Sequence, residues 1–201
     1  MKTKGDCVSI FLRLLDEATK KGVPISVSKN ADYKDKFDYF LDSAQIYIAQ
    51  LIKIPAVFTV IQYGSKDPLY TGVFEYEMPS NFLSFDSIIL KRDSESYEPY
   101  TNFKWENNKR VRLNPYDVGS FDIHYYKYPA TIASDAADNT VLDIEDKAFE
   151  VVALQCAIMA TAADNPSLSS WIRSIYVEKI QNISQKEQPI QNGIQTVFTM
   201  V

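Results

Sequence analysis

Between Val57 and Pro129 bulky and polar residues alternate in short runs cut by Pro, Asn and Gly, whereas on either side apolar residues recur every three or four positions. A period of two predicts half-buried strands, and a period near 3.6 predicts amphipathic helices. The first helix is expected over residues 6–21, with Asp6 as a cap, Val8, Phe11, Leu12, Leu15 and Ala18 on one face, and Gly22 then Pro24 ending it. After the loop GVPISVSKN, Asp32 is expected to cap a longer helix to about Lys53. Its apolar positions, Tyr33, Phe37, Phe40, Leu41, Ala44, Ile48 and Leu51, make a narrow seam, and Pro55 closes it.

Strands are predicted at 57–63, 69–78, 82–90, 100–106, 110–114 and 120–128, with turns at GSKDP, PSN, KRDSES and Asn107–Asn108. The loop Ala130–Thr140 is small and acidic and is expected to be mobile. Asp143 then opens a helix over 144–163, with Ala148, Val152, Cys156, Met159 and Ala163 as its seam and further alanines allowing close packing. Asn165–Pro166 breaks it. A last helix starts at Ser167 or Ser169 and runs to about Ser184, with Leu168, Ile172, Ile175, Ile180 and Ile183 inward.

This order defines an α+β fold: about four helices, two at each end of the sequence, with an inserted antiparallel β meander or small sandwich and an extended C-terminal tail. The expected divisions are 1–56, 57–129, 130–188 and 189–201.

Composition sharpens the picture in three places. Aromatic residues are abundant (13 Tyr, 11 Phe and 2 Trp), and Tyr suits half-wet contact surfaces as well as exposed strand positions. The net charge of −5 argues against a general nucleic-acid binder, which needs clustered Lys and Arg. No apolar run approaches the roughly 20 residues that span a bilayer, and Arg13, Asp16 and Glu17 interrupt the N-terminal apolar stretch, so it does not read as a secretory signal. Cys7 and Cys156 each sit on the apolar side of a helix and read as buried free thiols of a reducing compartment.

Candidate chemistry is sparse. Asp122 and His124 share one side of a strand, opposite Phe121, Ile123 and Tyr125, but no nucleophile motif accompanies them, and a surface hydrogen bond is the plainer reading. Asp35, Asp38 and Asp42 line one helix face beside Lys34 and Lys36, which suits a solvated face better than a cation site. The carboxylates at Asp135–Asp138 and at Asp143, Glu145 and Asp146 lack the calcium-loop pattern, and acids at a helix start meet its dipole favourably. Gly64-Ser65-Lys66 lacks phosphate-loop spacing, and Asn182-Ile183-Ser184 falls inside a helix. No catalytic residue, metal or cofactor is assigned, and the chain does not read as an enzyme. One pattern does stand out: Lys104, Lys109, Arg110 and Arg112 surround Trp105 at a hairpin tip, opposed by Glu106 alone. It suits either a phosphate or acidic partner, or a solvated tip that protects strand edges.

The order of three stretches carries a resemblance. The helix D-Y-x-x-x-F-x-Y-F-x-x-x-A-Q (Asp32, Tyr33, Phe37, Tyr39, Phe40, Ala44, Gln45) precedes the strand M-P-x-x-F-L-x-F-D-S-I (Met78 to Ile88). A tyrosine-rich strand ending Y-Y-K-Y-P (Tyr125 to Pro129) then leads through acidic residues into an alanine-rich helix. Over roughly Cys7 to Ile183 this resembles the head–tail connector, or adaptor, proteins of tailed bacteriophages. The resemblance implies a helical body with a β insertion, assembled in the host cytoplasm into a ring, commonly of twelve copies, at the virion neck. Its implied partners are other copies of itself, the portal protein and tail or further neck proteins, with DNA passing through the lumen without specific binding and no membrane involved. It further implies that a C-terminal extension reaches the portal or a neighbouring subunit. Here that extension is uncharged and rich in β-formers, with Ile190, Ile194, Val197, Phe198 and Val201 as expected contacts beside Trp105, Lys109, Arg110 and Arg112. The β portion is larger than in the smallest connectors.

The ring reading gives the acidic balance a purpose, a lumen lined by Asp and Glu that does not grip DNA, with the basic hairpin turned toward a protein. Two alternatives stay open: a tail-side completion or stopper ring, and a glycan-binding β module stacking sugars on Trp105 with Tyr97 or Tyr100.

Overall fold

The computed structural model describes residues 2–19, 27–92, 96–107 and 109–186, with side chains at 16–19, 27–31 and 184–186 left aside. The fold is α+β, with four helices and seven strands among these residues: α1 (Lys4–Thr19), α2 (Val27–Leu51), β1 (Ile54–Gln62), β2 (Glu75–Glu77), β3 (Phe82–Lys91), β4 (Tyr97–Pro99), β5 (Phe103–Glu106), β6 (Arg110–Leu113), β7 (Gly119–Lys127), α3 (Asp146–Thr161) and α4 (Pro166–Lys186). They fall into two compact units. Among the described residues, the helical unit holds those of Lys2–Leu41, Ala137–Thr140 and Asp146–Lys186, and the β unit holds those of Asp42–Ala136 and Val141–Glu145. The division falls inside α2, whereas composition places it near residue 56.

In the helical unit, α1 starts two residues before its expected beginning because Thr3, not Asp6, is the cap. The Asp6 backbone N–H donates to Thr3 Oγ1 at 3.2 Å, and the Thr3 N–H donates to Asp6 Oδ2 at 2.9 Å. This reciprocal pair satisfies two of the amides a helix start leaves open. The Thr3 N–H above all, and the Thr3 hydroxyl donating to the same Oδ2 at 3.0 Å, hold the Asp6 carboxyl below its ordinary value. Similarly, α2 begins at Val27 rather than Asp32, so the end of the expected loop is helical.

The strongest departure is α3. A four-three seam predicts one buried stripe, but Ala148, Phe149, Val151 through Leu154, Cys156 through Ile158, Ala160 and Thr161 are all buried. A helix that is apolar all round belongs at a centre, with neighbours on several sides. Of its expected seam, Met159 is only half-buried and Ala163 lies exposed beyond its end. Phe11 of α1 and Phe37 of α2 pack ring against ring at 5.1 Å, both fully buried. In α4 only Ile172 among the expected inward residues is fully enclosed, and Ser169 donates to the Ile158 carbonyl of α3 at 3.2 Å.

The β unit is a small antiparallel sandwich. One sheet has the order β1-β7-β3-β4 and the other β2-β6-β5. Their inner faces share one core built on Val60, Ile88, Leu90, Val111, Leu113, Phe121, Ile123 and Tyr125, with Met78 and Tyr100. The alternation of Phe121, Ile123 and Tyr125 inward against Asp122, His124 and Tyr126 outward follows the sequence pattern. Pro55 lies inside β1, near its start and on an edge strand, a position that tolerates a missing N–H.

The expected strand at 69–78 shrinks to Glu75–Glu77, and β4 went unpredicted. The 130–140 segment is pinned rather than loose. Within the β unit, the Ile132 N–H donates to Asp42 Oδ1 at 2.9 Å, and the Gln45 side chain donates to the Ala130 carbonyl at 2.8 Å. Within the helical unit, the Lys4 and Gly5 amides donate to the Thr140 and Asp138 carbonyls, each at 2.8 Å.

Candidate functional site

Most of the reactive-looking residues prove to be tied into the scaffold. Asp122 accepts from Thr59 Oγ1 at 2.8 Å and pairs with Lys91. His124 stands on the same outer face, its Nε2 buried without a hydrogen-bond partner among the described residues. Asp38 pairs with Lys4, which is 2% exposed, at 2.9 Å. Asp42 accepts from Gln45 and Ile132, while Asp35 is exposed. Asp143 does not open α3; it takes the Lys127 ammonium at 2.7 Å, and the helix starts at Asp146. Among the described residues no group of His, Cys, Asp or Glu is placed to hold a metal ion.

Cys7 and Cys156 are free and fully buried. Burial pushes the Cys7 thiol up to about 12, with the Asp6 charge adding to it, and raises Cys156 well above its ordinary value. Neither thiol is therefore primed as a nucleophile.

For Asp122 the pull is the other way. Burial is the largest single influence and raises its pKa, but the Lys91 and Thr59 hydrogen bonds and the Lys91 and His124 charges together outweigh it, leaving it lowered. A carboxyl depressed on folding stabilises above its unfolded value of about 3.9, and that contribution is lost as pH falls through the folded value. Urea midpoints measured from pH 6 to 2.5 are therefore expected to fall less steeply below about pH 4 in Asp122→Asn than in the parent. An unchanged acid limb would show that Asp122 is not depressed.

The basic hairpin tip is less basic than its sequence suggests. Strand β2 brings Glu75 opposite Arg112 and Glu77 opposite Arg110, while Glu106 faces Arg110 across the hairpin. Arg112 lies 3.6 Å from Glu75 and 3.7 Å from Glu106. Those half-exposed pairs contribute little stability, but they balance the charge. Trp105, expected to be exposed, is half-buried and packs against the sandwich core, 5.1 Å from Phe85 and 5.7 Å from Phe82 between ring centres. Tyr100 is likewise buried and donates to Asp117 Oδ2 at 2.9 Å. Of the three rings expected for a glycan-stacking platform, Tyr97 is exposed, Trp105 is half-buried and Tyr100 is buried. The tail residues Ile190, Ile194, Val197, Phe198 and Val201 lie outside the described residues.

What the fold does expose is apolar. The register Gln62↔Gly119 and Lys91↔Ser120 puts the end of β1, the start of β7, the end of β3 and the start of β4 at one end of the sandwich. Ile61, Tyr97, Tyr116 and Val118 lie at that end, and Leu69, Tyr70 and Val73 lie on the 63–74 loop that leaves β1 there; all seven are exposed, Tyr116 at 90%. They form half of the large hydrophobic side chains found exposed among the described residues, which is a concentration rather than scatter.

The loops carrying these residues are held in place. The Gln62 side chain donates to the Asn114 and Asp117 carbonyls at 2.8 and 2.6 Å, and the Tyr76 hydroxyl donates to the Val73 carbonyl at 3.0 Å. Gly72, between Tyr70 and Val73, holds φ at +67°, a conformation that L side chains rarely adopt. Sequence reading took residues 69–78 for one strand and so missed the surface. Gly72 was the available signal within that segment.

The helical unit has a second apolar feature. A shallow groove of about 410 Å³ is lined by Tyr39, Phe40, Met159, Ala160 and Ala163, with Asp35, Lys36 and Asp164 at its rim. Tyr39 is 74% exposed and stands edge-on to Phe40 at 5.0 Å. Among the described residues no helix is long and apolar enough to cross a membrane. Compared with known proteins, the chain matches no protein-family model and no curated protein.

Proposed function

We propose that this chain is a structural protein of a tailed-bacteriophage particle, a connector whose copies form a ring at the neck between portal and tail and surround the exiting DNA. The observation that carries the reading is the pinned apolar end of the sandwich. Seven hydrophobic side chains held in solvent on ordered loops and strand ends make a surface shaped for a protein, not a pocket shaped for a substrate. The groove around Tyr39 is a second, chemically different apolar patch. Ring closure by rotation needs two unlike, complementary patches on each copy, and this chain has two candidates. A helical unit with an inserted sandwich is also the architecture that the connector resemblance implies.

The reading is tested by incubating the purified chain alone, and then with the portal oligomer of the same virus, followed by native mass spectrometry. A closed oligomer, free or portal-bound, is expected. A chain that stays monomeric in both, and binds no tail protein either, would remove the proposal.

A further inference from the structure

The two sheets end in four edge strands, and three are protected against pairing with another chain. Strand β4 is three residues long and ends in Pro99. Strand β2 is three residues long with Glu at both ends, and β5 is four residues long and carries Lys104 and Glu106. Shortness, charge and proline are the usual means of blunting an edge. Strand β1 has little of this. It runs nine residues as IPAVFTVIQ without a charged side chain, its single proline lies at the second position, and Val57, Thr59 and Ile61 stand exposed on its outer face. Among the described residues only β7 pairs with it. Alternate residues of β1 therefore direct N–H and C=O groups away from the sheet, toward a position that no other described strand takes.

We propose that the free edge of β1 accepts an added strand, and that this strand is the C-terminal segment 190–201 of a second copy of the chain. The segment reads IQNGIQTVFTMV, twelve residues without a charge. Its Val197-Phe198-Thr199 repeats the Val57-Phe58-Thr59 of β1 itself, so it carries the side-chain pattern this sheet already accommodates. In extended form Phe198 and Met200 fall on one side, as Phe58 and Val60 do, and Val197, Thr199 and Val201 fall on the other, as Val57, Thr59 and Ile61 do. The eight residues from Ile194 to Val201 span about 26 Å when extended, close to the roughly 30 Å length of a nine-residue strand. Main-chain hydrogen bonds supply affinity in such strand addition, and the alternating side chains supply register.

The choice of a second copy rests on the ring reading. A donor tail and an acceptor edge on every copy form a head-to-tail pair that repeats around a closed ring.

Two full-length variants separate the possibilities. Val57→Lys/Ile61→Lys charges the acceptor edge and leaves the tail intact; Phe198→Lys/Met200→Lys charges the tail and leaves the edge intact. Sedimentation velocity is expected to show self-association weakened by about tenfold or more in each variant alone, as expected when lysines are placed on one side of an otherwise uncharged strand-pairing contact. Mixing the two is expected to give a heterodimer, with hydrogen exchange at residues 54–62 slowed only in the tail variant.

Absence of the mixed dimer would overturn the proposal, as would full association of the tail variant, the signature of β1 pairing with another β1. A monomeric parent chain with residues 54–62 already protected would overturn it in favour of the chain's own tail. Pairing in this assay together with absence of the chain from virus particles would sink the neck reading and leave the strand addition standing.

Discussion

Replacing Gly119 by alanine is expected to destabilise the β unit by about 3 kcal/mol or more, a drop of roughly 10 °C in Tm for a chain of this size. Gly119 opens β7, the strand that pairs with both β1 and β3, and holds φ at +141°, where L side chains are strained. A methyl group there would stand 2.6 Å from the Lys91 carbonyl oxygen and 2.9 Å from Leu90 Cδ1. The first contact is backbone, so relief requires β3 to move away from β7 and open the core at Leu90 and Phe121. Gly64→Ala is the control: its methyl would meet Val118 Cγ2 at 3.6 Å, an ordinary contact, and a change within about 0.5 kcal/mol is expected. Thermal melts of the two variants check the pair; equal melting temperatures would show that the β3–β7 approach is not tight.

Phe37→Ala is expected to cost about 3–5 kcal/mol, because a fully buried ring leaves a cavity that its neighbours fill only in part. The ring packs on Phe11, so the loss falls on the contact between α1 and α2. Tyr39→Ala, two residues along the same helix, removes a side chain that is 74% exposed and is expected to change stability by no more than about 0.5 kcal/mol. Urea titration separates the two. If Tyr39 belongs to a subunit contact, its variant melts normally and assembles poorly, whereas a large stability loss in Tyr39→Ala would assign it to the fold instead.

The helices and long strands were legible because their periods were strong. The alternation through Phe121, Ile123 and Tyr125 gave the correct inward face of β7, and Pro166 gave the break between α3 and α4. Other features depend on partners distant in sequence. Trp105 reads as an exposed tip residue until β3 brings Phe82 and Phe85 against it. The hairpin reads as basic until β2 supplies Glu75 and Glu77 from some thirty residues upstream. The acidic 130–140 loop reads as loose until Asp42 and Gln45 bind its start and the α1 amides bind its end. The apolar loop end was hidden for a local reason, since Leu69 to Met78 has the composition of a strand and only Gly72 marks the interruption. The unprotected edge of β1 required the strand order, which no single-strand pattern contains.

A reconstruction of the neck of the virus particle that carries this chain tests the central claim most directly. The connector account predicts a closed ring of identical copies in which protein covers the side chains from Leu69 to Val73, Tyr116 and Tyr39. A neck built without this polypeptide, or a subunit seated there with those aromatic and aliphatic groups bare to water, would contradict it.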